Sequence, residues 1–128
     1  MSADQRFQHQ AAALGYSFDG EIKVGGNYAP VVRDGEFVYV SGQIPRVGDE
    51  IVVVGAAGSD VSLEKARLAA KVSTMRALAL VRRIAGSLSN IVAVPRPRLR
   101  QAGEGSRYPR SCDDSDDRGL PWRYRGNV

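Results

Sequence analysis

The sequence predicts an α+β fold, and three observations carry the prediction. Residues 31–40 carry a tight hairpin pattern of β-branched and aromatic side chains, residues 62–85 form one long helical run, and short strand-like stretches flank that run on both sides.

The elements follow in chain order. "SADQRFQHQAAALG" offers Ser2 as an N-cap and Gly15 as a C-terminal stop, which predicts a short helix. "PVVRDGEFVYVSG" reads as a hairpin, with Val31 and Val32 leading into the turn pair Asp34-Gly35 and Phe37, Val38, Tyr39 and Val40 returning from it. After the turn residues Gly48-Asp49, "EIVVVG" reads as a third strand. All three runs are rich in side chains that suit a pleated, half-buried surface. The long helix is the strongest signal in the chain: Ser62 is its N-cap, Glu64 lies in its first turn, Arg82 and Arg83 lie near its negative end, and Gly86 closes it. Ala66, Ala69, Ala70, Ser73, Ala77, Leu80, Val81 and Ile84 share one face at 3.6-residue spacing, and small residues there let a helix lie close against a sheet. Leu68, Val72 and Met75 form a second, narrower strip, suited to another helix or another subunit; the plainest reading makes both strips core. "NIVAV" at 90–94 begins a fourth strand.

Composition narrows the function classes. With 128 residues the chain fits one domain, long enough for a real core and helped by oligomerisation. No apolar run reaches the roughly 18–20 residues of a membrane helix, and "MSADQRFQHQ" lacks the apolar core of a signal peptide. The expectation is a cytoplasmic protein without a membrane partner. One cysteine, Cys112, excludes an internal disulfide, and with the single histidine, His9, it cannot make a Cys/His zinc cluster. No structural metal is expected.

The formal net charge of +4 is uneven. Residues 1–94 hold 10 Lys+Arg against 9 Asp+Glu, whereas residues 95–128 hold 8 Arg against 5 acids. Pattern breaks at the same place. From Pro95 onward, "PRPRLRQAGEGSRYPRSCDDSDDRGLPWRYRGNV" shows neither a period of 2 nor one of 3.6, and Pro95 and Pro97 each remove a backbone donor where a strand should extend. The domain reading is therefore a folded unit at 1–94 and an Arg/Pro/Gly-rich tail at 95–128, irregular or disordered by composition. An altered reading frame would account for so abrupt a change, and the Arg-to-Lys ratio of 15 to 3 agrees with a GC-rich gene.

Residues 16–94 resemble the Rid family, also called YjgF or L-PSP endoribonuclease-like, and within it the subgroup with an added N-terminal helix. The resemblance rests on "GGNYAPVVRDGEFVYVSGQIP", with a Tyr 13 residues before the Ser of Ser-Gly-Gln-Ile-Pro, and on "GAAGSDVSLEKARLAAKVSTMRALALVRRIAGSLSNIV". It implies a chorismate-mutase-like α+β domain, a mixed sheet backed by helices and here incomplete at the C-terminus, assembled as a homotrimer with ligand clefts between subunits. It also implies hydrolysis of small reactive enamines and imines, such as 2-iminobutanoate and 2-iminopropanoate, to 2-oxo acids and ammonia, with no cofactor.

The same resemblance assigns ligand-binding residues. Tyr28 matches the family tyrosine, and Ser41 and Gly42 match the strand end whose backbone lines the cleft, where a missing side chain lets a ligand approach the main chain. The family places an arginine on the substrate carboxylate, because a planar guanidinium fork matches two carboxylate oxygens. The motif "PRSC" makes Arg110 the candidate for that role, although only 15 residues separate it from Val94 and "DDSDD" follows where a strand should run. No side chain is an evident general base. Two other functions stay open: a non-catalytic ligand-binding or regulatory oligomer, and an RNA-binding protein using the tail arginines with Tyr108, Trp122 and Tyr124 as stacking partners, a role against which the five tail acids weigh.

Overall fold

The computed structural model describes residues 1–94 and, as backbone, the strand at 122–124. The order is α1 (Ala3–Leu14), β1 (Val31–Asp34), β2 (Phe37–Val40), β3 (Arg46–Val47), β4 (Glu50–Ile51), α2 (Leu63–Ala85), a 3-10 turn at Leu88–Asn90, β5 (Ile91–Ala93) and β6 (Trp122–Tyr124). This mixture of two helices and antiparallel strands is α+β. No helix among the described residues is long and apolar enough to cross a membrane.

Both helices begin and end where their capping residues stand. The Ser2 hydroxyl accepts from the Gln5 N–H while the Gln5 side chain accepts from the Ser2 N–H, a capping box. Gly15, at φ 74°, turns its N–H back onto the carbonyls of Ala11 and Ala12. Ser62 caps α2 through the Lys65 N–H, and Gly86 follows its last residue at φ 77°.

The main sheet runs β1-β2-β6-β5, and each of its pairings is antiparallel. That corrects the expected mixed sheet for the strands described here. The physical reason is β6: β2 and β5 run in the same direction with a strand's width between them, and Trp122–Tyr124 fills that slot antiparallel to both. No strand is expected at these residues from composition, so this pairing is an addition to the sequence reading. The hairpin turn also sits one residue later than the Asp34-Gly35 pair suggests. Asp34 pairs with Phe37, leaving Gly35-Glu36 as the loop, and only Gly35 has positive φ, at 57°, as a turn with glycine at its first central position requires.

The third strand is shorter than "EIVVVG" predicts. Only Glu50–Ile51 pair, with Arg46–Val47, in a separate two-stranded ribbon. One further bond, from Val52 N–H to the Pro45 carbonyl, continues it, and the ladder ends there because Pro45 has no N–H and the Ile44 carbonyl already accepts from Arg46 N in a tight reversal. Val54 beyond the ribbon is 77% exposed.

Helix α2 packs on β1, β2 and β3, and α1 packs across α2 and the 3-10 turn. Val38, Val72 and Val81 are fully enclosed, and Phe7 of α1 meets Phe18 edge-to-face at 6.3 Å between ring centroids. The two strips of α2 are both core, but their weights are reversed in the first half of the helix. Val72 and Met75 of the narrow strip are buried, whereas Ala70 of the broad strip is exposed. Val72 and Met75 join Phe7, Phe18 and Val38 in one core cluster, where larger side chains lose more water-exposed area than an alanine would.

Candidate functional site

The stretch after β2 builds one wall of a cleft. Ser41 N donates to the Pro30 carbonyl, which prolongs the hairpin by one bond. Gly42 then leaves the ladder, and Gln43, Ile44 and the Pro45 reversal carry the chain into β3. Tyr28, Gly42, Gln43, Ile44, Arg46, Arg76 and the 23–25 segment enclose a space of about 100 Å³. A second, more open cleft of about 490 Å³ lies between the 15–23 segment and β3, and Lys23, Arg46 and Arg76 line both.

Arg76 is the centre of this region. It projects from the middle of α2, it is only 4% exposed, and it ties three segments together. Its Nε donates to Gln43 Oε1 at 3.2 Å, Nη1 to the Arg46 carbonyl at 2.9 Å, and Nη2 to the Lys23 carbonyl at 2.8 Å. Gln43 passes the connection on, its Nε2 donating to the Ser41 carbonyl at 3.1 Å and to Ser41 Oγ at 3.2 Å.

Every acceptor that Arg76 meets is neutral. Burial first, and the like charge of Arg46 second, weaken its hold on its proton, with Tyr28 acting in the opposite sense. A guanidinium nevertheless stays charged at any working pH. The result is a buried cation, with no carboxylate partner among the described residues, beside a small cleft. The two carboxylates nearest the cleft act on Lys23 instead. Asp49 forms an ion pair with it and Glu21 adds a weaker attraction, and both raise its pKa, the Asp49 hydrogen bond most.

These positions can be set against the expected ones. Tyr28 and Gly42 line the same cleft within this one chain, with Tyr28 50% exposed, whereas the resemblance implied a cleft between subunits. Gly42 has no unusual backbone angle, and a Cβ built on it would meet nothing within 4 Å, so the space beside it is open. Ser41 lines neither cleft; its carbonyl and hydroxyl hold Gln43. Arg110 lies outside the described residues, as does Tyr108. Missing from the sequence reading were Arg76, Gln43 and Arg46. One signal for Arg76 was present: it stands four residues after Val72 and four before Leu80, a charge on an otherwise inward-facing strip.

Comparison with known proteins adds the fold. No family model matches the chain, and no curated protein matches it. Solved structures do. A candidate endoribonuclease from Shewanella oneidensis MR-1 superposes with a TM-score of 0.59 at 25% identity, over 69% of this chain and 58% of that one. A protein of unknown function from Agrobacterium tumefaciens superposes with a TM-score of 0.54 at 32% identity, over 69% of this chain and 54% of its own. The chain shares its fold with these two proteins. The Shewanella neighbour fits the Rid-like fold to which the Tyr and Ser-Gly-Gln-Ile-Pro motifs point. This chain spans a little over half the length of either neighbour.

Proposed function

We propose that this protein binds small carboxylic acids of the 2-oxo and 2-imino type in the cleft between Tyr28, Gly42 and Arg76, in the manner of a Rid-like protein. One observation carries the reading: a buried guanidinium whose acceptors are all neutral borders a cleft with an open backbone position. A carboxylate entering there meets a positive field in a poorly hydrated place, where Coulomb attraction exceeds its value in water. At about 100 Å³ the inner cleft suits a metabolite of a few heavy atoms, well below the drug-sized range of roughly 300–1,000 Å³.

The reaction that fits such a ligand is hydration of an imine. Water adds to the C=N carbon, a carbinolamine forms, and its collapse expels ammonia and leaves the 2-oxo acid. Arg76 would hold the carboxylate and Tyr28 would flank the reacting carbon. Among the described residues no side chain in the cleft is placed as a general base, so the added water would need a proton acceptor from the substrate nitrogen itself or from solvent.

Calorimetric titration with 2-oxobutanoate tests the binding step. Saturable binding in wild type that is lost in Arg76→Met is the expected result, and equal heats from both proteins would remove the reading. Hydrolysis of 2-aminoacrylate generated in situ, followed by ammonia release, tests the chemistry separately.

The homotrimer belongs to the same proposal. Val32 and Tyr39 face each other across β1 and β2 on the side of the sheet away from α2, and both are exposed, at 49% and 41%. A second copy covering that face would bury them. Sedimentation should give a trimer in wild type and a smaller species in Tyr39→Lys; a monomer in wild type would contradict it.

The description of the Shewanella neighbour favours a second reading, RNA binding. Its test is salt dependence: affinity for a short single-stranded RNA that fails to fall steeply with salt would contradict phosphate-led binding.

A further inference from the structure

Arg46 contributes more to the cleft than its carbonyl. Its side chain lines both spaces, and its Nε is buried with no acceptor among the described residues. A buried donor without a partner costs roughly 1–3 kcal/mol, more when it is charged, so its persistence beside a cavity points to an acceptor that arrives from outside. Arg46 also sits close enough to disfavour the charge of Arg76. The carboxylates near the pair make their closest contacts elsewhere, although Asp49 also attracts Arg46 through its charge. Asp49 is bonded to Lys23, and Glu21, exposed at the rim of the larger cleft, acts on Lys23 as well.

Two guanidinium groups therefore share one opening with no carboxylate hydrogen-bonded to either among the described residues, Asp49 reaching Arg46 through its charge alone. Both line the small inner space and the 490 Å³ outer one, and hydrogen bonding separates their duties: Arg76 is anchored at three points, whereas the Arg46 Nε has no acceptor among the described residues.

We propose that the site is built for a dicarboxylic 2-oxo or 2-imino acid, its first carboxylate held by Arg76 in the inner cleft and its second by Arg46 toward the outer cleft. This rests on the carboxylate reading above and adds the substrate class. A monocarboxylate satisfies one of the two cations and leaves the other donor unpaired. A dicarboxylate satisfies both, and the outer cleft has room for the additional carbons.

The discriminating experiment uses three ligands and the full-length chain. Calorimetric titration at low salt compares 2-oxoglutarate, its neutral-ended analogue 2-oxoglutaramate, and 2-oxobutanoate. Pairing one more charge through hydrogen bonds should give 2-oxoglutarate about a tenfold advantage over 2-oxoglutaramate. Arg46→Gln should erase that advantage, read as the ratio of the two affinities within each protein, and Arg46→Lys should restore part of it. Circular dichroism and a denaturant midpoint equal to wild type would show that Arg46→Gln folds. Equal affinity of wild type for 2-oxoglutarate and 2-oxoglutaramate overturns the dicarboxylate assignment and leaves the monocarboxylate reading standing. An advantage that survives Arg46→Gln overturns the role of Arg46. If none of the three ligands binds, the carboxylate reading itself fails and this assignment fails with it.

Discussion

Arg76 shows how one side chain can serve both folding and binding. Its three hydrogen bonds fasten α2 to the 23–25 segment, to Gln43 and to β3, so its removal leaves three buried acceptors without donors. Arg76→Met should lower stability by roughly 2–4 kcal/mol. Arg76→Lys should recover less than half of that, because a single ammonium cannot span three acceptors arranged around a planar fork. Urea midpoints of the three proteins check both statements. Gly42 offers the opposite case. Since a Cβ there meets nothing and the backbone angles are ordinary, Gly42→Ala should change stability by less than about 0.5 kcal/mol. The added methyl nevertheless narrows the cleft, so 2-oxobutanoate should bind more weakly to a protein that unfolds normally. A variant with unchanged affinity would place the ligand elsewhere. Tyr28 and Gly42 were legible in sequence because local spacing carries them, whereas Gln43 and Arg46 look like ordinary loop residues until α2 is laid across them.

At the scale of elements, one carboxylate ties α1 both to α2 and to the 3-10 turn. Asp4 accepts from the Ser87 hydroxyl and from the Leu88 N–H at 3.4 Å, and pairs with Arg82 Nε at 3.0 Å. Arg82 in turn lies over the Phe7 ring, 5.5 Å from its centroid. Partial burial pushes the Asp4 carboxyl upward, but Ser87, Leu88 and Arg82 together outweigh it and hold the pKa below its ordinary 3.8. A carboxyl lowered in the folded state contributes stability that is complete above the unfolded value and disappears as pH falls through the folded one. Asp4→Asn should therefore be less stable than wild type by about 0.5–2 kcal/mol between pH 5 and 7, and the gap should begin to close as pH falls below about 4. A gap that does not narrow on further acidification would show that Asp4 acts through shape and not through charge. Both helix boundaries were readable from Ser2, Gly15, Ser62 and Gly86, because caps are local chemistry. The tie between Asp4 and Ser87 was not, since 83 residues separate them and nothing in either neighbourhood names the other.

Over the whole molecule, the sheet depends on a strand from beyond residue 94. Trp122–Tyr124 are paired on both sides, with Phe37 and Val38 on one and with Ile91 and Ala93 on the other, across a bulge at the β5 side. Proline at the centre of a strand paired on both sides removes a ladder donor, so Arg123→Pro should cost about 3 kcal/mol or more. It should also leave the edges of β2 and β5 open and promote association, visible as concentration-dependent light scattering. A monodisperse protein with an unchanged midpoint would show that the sheet stands without β6. Local patterns alone carried the α+β class, the hairpin and the two capped helices, because periodicity, capping and turn chemistry act within a few residues. The direction of the strands in the sheet, the partner of β2 and the convergence of Arg46 and Arg76 on one opening were decided by the fold. Each joins segments tens of residues apart, and which distant backbone donors and buried charges find one another follows from how the packed elements lie together.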